Sequence, residues 1–200
     1  MDKYKNLTSI INIIIFVLTA LLSGFGSAWL ILENGSRLTS TIDGQWKSWR
    51  TAGRPDADPY ARAHLSRSGR LPLSSANVQY FMAKTDNQGL RLLGTCEYSI
   101  ENTETLGDWW SLTAFDDDGN LLKNNADRYA FNSSTILRDT TGKYKVSLSS
   151  APRPGNWLPT AVGKKITLLF RLHKPAIAEL GGNEKHHRRH LPSIRRIKCG

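Results

Sequence analysis

The sequence is poor in cysteine and lacks the short motifs that mark the commonest enzyme classes. Its two cysteines, Cys96 and Cys199, are too few for a disulfide-built scaffold or a cysteine metal site. No phosphate-binding loop, dinucleotide fingerprint, nucleophile elbow or zinc-protease motif occurs. Serine and histidine are present, but their spacing selects no nucleophile and base. We therefore assign no catalytic residue and no cofactor from these motifs.

The sequence also lacks the signatures of a nucleic-acid-binding protein. Lys and Arg outnumber Asp and Glu by 27 to 17, and much of the excess lies in residues 45–72 and 183–200. Neither segment interleaves aromatic with basic residues, and no zinc-finger, helix-turn-helix or RNA-recognition motif occurs. A basic excess by itself does not indicate nucleic acid. We expect no nucleic-acid partner.

Charge is absent from one long stretch near the start of the chain. Residues 9–32 read SIINIIIFVLTALLSGFGSAWLIL. As a helix this run reaches about 36 Å, enough to cross a hydrocarbon core of about 30 Å. It predicts a single transmembrane helix after a leader formed by residues 1–8. The alternative is a cleavable signal peptide that ends at Ala28, but the apolar run continues beyond that position and favours an uncleaved anchor.

The charges around the apolar run predict its orientation. Lys3 and Lys5 favour a cytoplasmic N-terminus, so the rest of the chain would cross the bacterial inner membrane into the periplasm. Ala20, Gly24 and Ala28 recur at four-residue spacing, which lets a second helix approach closely. We expect a membrane-anchored protein in which two copies can associate through this face.

In the periplasm the two cysteines could form a disulfide. In an oxidising environment Cys96 and Cys199 can close a large loop through a disulfide. Two unpaired thiols are the alternative, and the spacing does not decide between them.

Helical signals occur only in the first part of the folded region. Trp46 and Trp49 stand three residues apart, as on one face of a short helix. A second helix is indicated by Asp58 as its N-cap, Pro59 at its first position and Gly69 after its last turn.

Short runs rich in β-branched and aromatic residues follow Pro72. Turn residues at 85–89, 116–120 and 139–143 separate several of them. The pattern predicts a mainly β fold, an antiparallel β-sandwich of jelly-roll type with one or two short N-terminal helices. The sandwich would span 45–182, between a tether (33–44) and a basic C-terminal tail (183–200). The predicted strands are 78–84, 92–100, 109–115, 134–138, 144–149 and 166–173.

The segment GDWWSLTAFDDDGNLL offers aromatic and acidic candidates together. Its aspartates fail the spacing of an EF-hand calcium loop and are typical of a solvated turn. Since strand neighbours point to opposite faces, one of Trp109 and Trp110 should be buried. The other should meet a helix, solvent or a ligand.

Three further residues are candidates for contact with a ligand or partner. In RPGNWLPT, two prolines flank Asn156 and Trp157, so a fixed loop would present both side chains. Arg171 interrupts an apolar strand and would need polar partners if it pointed inward.

The C-terminal tail contains a weak metal-binding pattern. His186 and His190 would share a helical face, but the surrounding cations oppose binding, so we predict no metal site. A basic tail attracted to anionic lipid head groups is favoured instead.

Several segments together resemble the bacterial family known as domain of unknown function 1214, in its short membrane-anchored alphaproteobacterial form. They are DPYARAHLSRSGRLPL, YFMAKTDNQGLRLLGTCEYSI, WWSLTAFDDDGNLL, GNWLPT, LLFRLHKP and LPSIRRIKC. The resemblance implies a jelly-roll sandwich in the cell envelope. It implies no reaction, because the family has no established catalytic residues to carry onto these positions.

Two functional hypotheses follow. The first is a non-enzymatic periplasmic module that binds an envelope partner or a small ligand through Trp109, Trp110, Asn156, Trp157 and Arg171. The second is an envelope hydrolase, acting on a carbohydrate or another cell-wall component. It would use Asp116 or Asp118 as acid or base. An apolar groove would favour the first hypothesis; a buried carboxylate beside Trp157 and Arg171 would favour the second.

Overall fold

The computed structural model describes residues 2–34, 40–49, 51–67, 73–75, 77–102, 107–175 and 191–200. Within these ranges the helices are α1 (Asp2–Asn34) and α2 (Pro59–Arg67). The strands in the described ranges are β1 (Thr41–Asp43), β2 (Trp46–Ser48), β3 (Val78–Ala83), β4 (Cys96–Asn102), β5 (Gly107–Asp116), β6 (Ala130–Asn132), β7 (Tyr144–Ser149), β8 (Asn156–Pro159), β9 (Ile166–Pro175) and β10 (Ser193–Cys199).

The strands form two sheets. The large sheet has the order β1-β2-β3-β9-β5-β6, and the small sheet has the order β10-β4-β7-β8. Their pairings are antiparallel, except that β7 and β8 run parallel. The prediction of a mainly β sandwich with a short helix beside it is therefore confirmed.

Alternating side chains from both sheets meet in one apolar core. Trp110 of β5 bridges the sheets, since its ring stacks on that of Tyr144 of β7 with 4.7 Å between centroids. Phe170 of β9 lies 5.6 Å from the same tryptophan ring. The largest core side chains, each less than 2% exposed, are Trp46, Phe81, Tyr98, Trp110, Phe170, Leu92, Ile100, Leu112, Leu148, Leu158, Ile166 and Leu168.

A second apolar cluster covers part of the outer face of the large sheet. Met82 of β3 points away from the core and packs among Trp49, Ala52, Ala61 and Leu65. Ala61 and Leu65 belong to α2, so the helix forms a third layer over the large sheet. The helix begins as the sequence predicts, because the Asp58 carboxylate accepts a hydrogen bond from the Ala61 N–H at 2.9 Å.

The three predicted turns share one construction. In each, an aspartate carboxylate accepts hydrogen bonds from the backbone N–H groups two and four residues ahead, and a glycine adopts positive φ. The aspartates are Asp86, Asp116 and Asp139, and the glycines are Gly89, Gly119 and Gly142, with φ of 79°, 84° and 79°. Glycine suits this conformation because it has no Cβ.

Near the start of the folded region, two sequence predictions were wrong. Trp46 lies in β2 and not on a helix, because its side chain fills the core opposite Ala83 of β3 and is 1% exposed. The tether assigned to residues 33–44 includes β1, which forms a hairpin with β2. Tertiary burial outweighs the weak helical spacing of Trp46 and Trp49.

The predicted strand 134–138 was also wrong. The strand there is β6, which ends at Asn132. The Asn132 side-chain oxygen accepts hydrogen bonds from the N–H groups of Ser134 and Thr135, which turns the chain. The predicted strand 92–100 begins only at Cys96, and the sequence did not indicate β8.

The basic tail assigned to 183–200 ends in a strand. β10 pairs with β4 along the edge of the small sheet, and a disulfide joins Cys199 to Cys96, its partner in the register. Residues 183–190, which include the two histidines considered for metal, lie outside the described residues. β10 therefore belongs to the sandwich and is not part of a solvated tail.

Candidate functional site

The two adjacent tryptophans point to opposite faces of β5, as strand alternation requires. Trp110 is 1% exposed inside the core, so it cannot form part of a contact surface. Trp109 is half-buried on the outer face of the large sheet, and its ring meets that of His173 edge-on at 4.8 Å. The prediction that Trp110 contacts a ligand is corrected by its burial.

Arg171 lies on the same outer face as Trp109. It is half-buried on β9, and its cross-strand neighbours are Tyr80 of β3 and Ser111 of β5. It does not point into the core, because the alternate residues Phe170 and Leu172 do so. Arg171 therefore needs no buried counter-ion.

Asn156 and Trp157 lie on the other sheet, far from Trp109 in the fold. The Asn156 side chain is buried and exchanges two hydrogen bonds of 2.8 Å with the backbone of Leu137. It also donates to the carbonyl of Lys145 at 3.0 Å. Trp157 is half-buried, and its indole N–H donates to the Ser149 carbonyl at 3.0 Å. The five predicted contact residues do not converge on one site.

The hydrogen bonds of Asn156 and Trp157 instead fix an unusually short connection. Parallel strands generally need a crossover of about a dozen residues or more, whereas β7 and β8 are joined by residues 150–155 alone. Arg153 in this connection forms a two-point hydrogen-bonded ion pair with Glu97 of β4, at 2.8 and 2.6 Å. These contacts hold the connection against the outer face of the small sheet.

A groove of about 710 Å³ opens beside this connection. It runs over the outer face of the small sheet to the end of β4 and β7, where Asn102 and Tyr144 pair. Most of its lining residues have polar or charged side chains, and Leu137 and Pro154 add apolar surface. The lining residues are Glu97, Glu101, Asn102, Leu137, Arg138, Asp139, Lys143, Tyr144, Lys145, Ser147, Arg153, Pro154, Gly155 and Asn156. This groove matches neither the apolar groove nor the catalytic pocket expected from the sequence.

The carboxylates of the groove are held ionised. The Arg153 guanidinium holds the pKa of Glu97 below its usual value. A hydrogen bond of 2.6 Å from the Ser99 hydroxyl lowers the pKa of Glu101, with Arg195 as a further cause. The Thr141 hydroxyl similarly lowers the pKa of Asp139. These groups are poor proton donors at neutral pH. In contrast, burial raises the pKa of the Tyr144 phenol to about 12.

The aspartates of the alternative hydrolase hypothesis lie elsewhere, in the turn between β5 and β6. The Asp116 carboxylate accepts hydrogen bonds from the N–H groups of Asn120 and Asp118, which lower its pKa, and Lys164 lies 3.7 Å away. Asp118 is exposed to solvent. Asp116 therefore acts as a structural turn residue with no raised pKa.

The apolar helix has an exposed surface and a contact with the domain at its end. The span Leu7–Leu32 is apolar enough to cross a membrane, as an anchor or as a signal sequence, and none of it is buried. Near its end, the Arg67 guanidinium of α2 lies 4.1 Å from the ring centroid of Trp29. Since α2 covers the large sheet, the groove of the small sheet lies on the opposite side of the sandwich.

These features define a class, a two-sheet β-sandwich with an N-terminal helix able to cross a membrane. Residues 77–177, just over half of the chain, match the model of a family described as "Protein of unknown function (DUF1214)", and the chain belongs to that family. The whole groove lies within the matched segment, whereas α1, α2 and β10 lie outside it.

One similar solved structure has the same fold. The VPA0106 protein from Vibrio parahaemolyticus is similar with a TM-score of 0.61 and 18% sequence identity, over 88% of this chain and 43% of that chain. An uncharacterised protein from Burkholderia cenocepacia gives a TM-score of 0.43 and 16% identity, over 89% of this chain and 42% of that chain. This chain thus spans less than half the length of either protein. Comparison with curated proteins finds no match.

Sequence reasoning missed the groove, although a signal for it was present. In CEYSIEN and YKVSLS polar residues alternate with apolar ones, at 97, 99 and 101 and at 145, 147 and 149. This alternation indicates two neighbouring strands with one polar face. What the sequence could not show is that residues 150–155 return across that face and complete a concave surface.

Proposed function

We propose that the chain is a membrane-anchored binding module of the bacterial cell envelope, with α1 in the inner membrane and the sandwich in the periplasm. The observation that carries this proposal is the apolar surface of the span Leu7–Leu32, none of which is buried against the sandwich. Such a surface is unfavourable in water and suits a hydrocarbon environment.

Two further observations support the orientation and the uncleaved anchor. Structural disulfides form and persist in oxidising compartments such as the periplasm, and this sandwich contains one between Cys96 and Cys199. The helix continues to Asn34, through the small residues 26–28 where a signal peptide would be cut. Lys3 and Lys5 before the span favour a cytoplasmic N-terminus.

Binding, and not catalysis, suits the surface that this orientation presents. The groove faces away from the side of the sandwich that α2 and α1 occupy. Its carboxylates are engaged in ion pairs and hydrogen bonds, so they are suited to shaping a site and not to moving protons. Among the described residues, no observation favours the hydrolase hypothesis based on Asp116 or Asp118. Self-association through Ala20, Gly24 and Ala28 stays a prediction.

The topology is tested by protease accessibility in bacterial cells that express the full chain. We expect the sandwich to resist protease in intact cells, to be digested in spheroplasts, and to stay in the membrane pellet after alkaline carbonate extraction. The intact mass of the purified protein should include residues before 29. A mass that begins at Trp29 would refute the anchor, and protection in spheroplasts would refute the periplasmic orientation.

A further inference from the structure

The groove on the small sheet carries more positive than negative charge. Four cationic side chains line it, from Arg138, Lys143, Lys145 and Arg153, against three carboxylates. Two more cations reach the same carboxylates from β10, since Lys198 lies 3.9 Å from Glu97 and Arg195 lies 3.4 Å from Glu101. The excess of charge is therefore positive.

The negative charges are already matched. Glu97 is bound by the Arg153 guanidinium at two points, and Glu101 accepts hydrogen bonds from Ser99 and Arg195. Asp139 accepts hydrogen bonds from the turn that it closes. Each carboxylate thus has hydrogen-bond donors of its own. Lys145 acts on Glu97 and Glu101, and Lys143 on Asp139, only through space and without an ion-pair contact among the described residues.

Three cationic side chains of the groove, from Lys143, Lys145 and Arg138, are available to contact a ligand. Lys143 and Lys145 are exposed, and neither forms an ion pair within the part of the chain that the structure describes. Arg138 donates one hydrogen bond to the Gly142 carbonyl and lies 5.4 Å from the Tyr144 ring centroid, which positions its guanidinium at the end of the groove. Ammonium and guanidinium groups arranged around a concave surface are suited to oxyanions.

The rest of the groove suits a ligand with hydroxyl groups. Ser147 lines the groove and offers a hydroxyl, whereas the exposed Leu137 and Pro154 make part of the lining apolar. Trp157 pairs with Ser147 across the strands but lies beside the groove and not in its lining. Such a surface is partly apolar and partly able to form hydrogen bonds. A sugar carries both kinds of surface.

We propose that this groove binds an acidic sugar, with Lys143, Lys145 and Arg138 contacting its phosphate or carboxylate group. The inference deepens the proposed function, on which it rests for access to envelope carbohydrate. Recognition is by charge and hydrogen bonding, so the shared chemistry of the ligand is an oxyanion on a hydroxylated ring.

The test uses the full chain in detergent micelles and isothermal titration calorimetry with four probes. Glucuronate and glucose 1-phosphate carry the two oxyanions on a sugar, glucose carries no charge, and inorganic phosphate carries no sugar. The variants are Lys145→Gln and Lys143→Gln. The matched control is Lys123→Gln, because Lys123 is an exposed lysine outside the groove. All three positions are exposed, so the variants should keep the fold, which thermal unfolding checks.

At least one of the two acidic sugars should bind, and glucose should not. Each groove variant should weaken that binding about tenfold, the effect of losing one charge-assisted contact, and the control should leave it unchanged. Added salt should weaken binding as well. Comparison of glucuronate with glucose 1-phosphate shows which oxyanion the groove prefers.

Three results would overturn the proposal. One is the absence of binding by both acidic sugars, and another is equal affinity in the groove variants and the control. The third is inorganic phosphate binding as tightly as glucose 1-phosphate, which would show that the sugar contributes nothing. If the calorimetry shows no binding, the result of the protease experiment still stands. If the protease experiment places the sandwich in the cytoplasm, binding to the groove can still be measured. The failure of one proposal is therefore distinguishable from the failure of the other.

Discussion

The two outer faces of the sandwich follow the same strand alternation but have opposite chemistry. On the large sheet, β3 turns Met82 outward, and it is buried because residues in and before α2 cover it. On the small sheet, β4 turns Glu97 and Glu101 outward, where they form ion pairs at the edge of a groove. One face is a second apolar interface, and the other is a solvated surface.

This difference shows how the two sheets of one sandwich come to have one covered and one open outer face. An apolar outer face must be covered, and here the covering helix also contacts Trp29 near the end of the apolar helix. A polar outer face can stay open, because its charged groups remain favourable in water. The open face is the one that ligands can reach.

Opening the disulfide should have the largest effect on the small sheet. The bond joins residues 103 positions apart, and in the chain-entropy model its loss costs about 2–5 kcal/mol, near the top of that range for a loop of about 100 residues. The double variant Cys96→Ala/Cys199→Ala should lose this much free energy of unfolding in guanidinium titrations. A reductant should destabilise the wild type and leave the double variant unchanged; equal sensitivity of both would contradict the prediction.

Removing apolar contact from the covered face should have the next largest effect. Leu65 of α2 is 7% exposed against Met82, so Leu65→Ala should lower the free energy of unfolding by about 2–3 kcal/mol. Leu90 is 50% exposed, and Leu90→Ala is the matched control with an expected change below about 0.5 kcal/mol. Equal losses in the two variants would show that α2 does not form a packed layer.

Acid should affect the charged face through Glu97, with the smallest effect of the three. The pKa of Glu97 is lower in the folded than in the unfolded chain because Arg153 binds its ionised form. The pair therefore stabilises the fold above the unfolded pKa of about 4.3, and this contribution is lost as pH falls through the folded pKa. In Glu97→Gln, unfolding temperatures between about pH 5 and pH 3 should fall less steeply than in the wild type.

Arg153→Gln tests whether Arg153 is the cause of the lowered pKa of Glu97. Without the guanidinium, the pKa of Glu97 should return toward its ordinary value, so the variant should show the same shallower dependence on acid. If Glu97→Gln and Arg153→Gln kept the steep dependence of the wild type, this ion pair would not be its source.

Several features were predictable because neighbouring residues decide them. The apolar span needs only an uninterrupted run of residues, the helix after Asp58 needs only its N-cap and proline, and each aspartate turn needs only a glycine three residues on. Strand alternation likewise required Trp109 and Trp110 to face opposite ways. It could not decide which one was buried, because both faces of the large sheet carry apolar side chains.

The features that form the candidate site could not be predicted from the sequence. Arg153 and Glu97 lie 56 residues apart and meet only because residues 150–155 cross the small sheet. Likewise β10 becomes an edge strand because β4 offers it backbone partners and Cys96 fixes its end. By itself the sequence determined the apolar helix, the turns and the mainly β class, which depend on local conformational preference and hydrophobicity. The tertiary structure alone decided which face is covered and which is open, because that depends on contacts between residues distant in the chain.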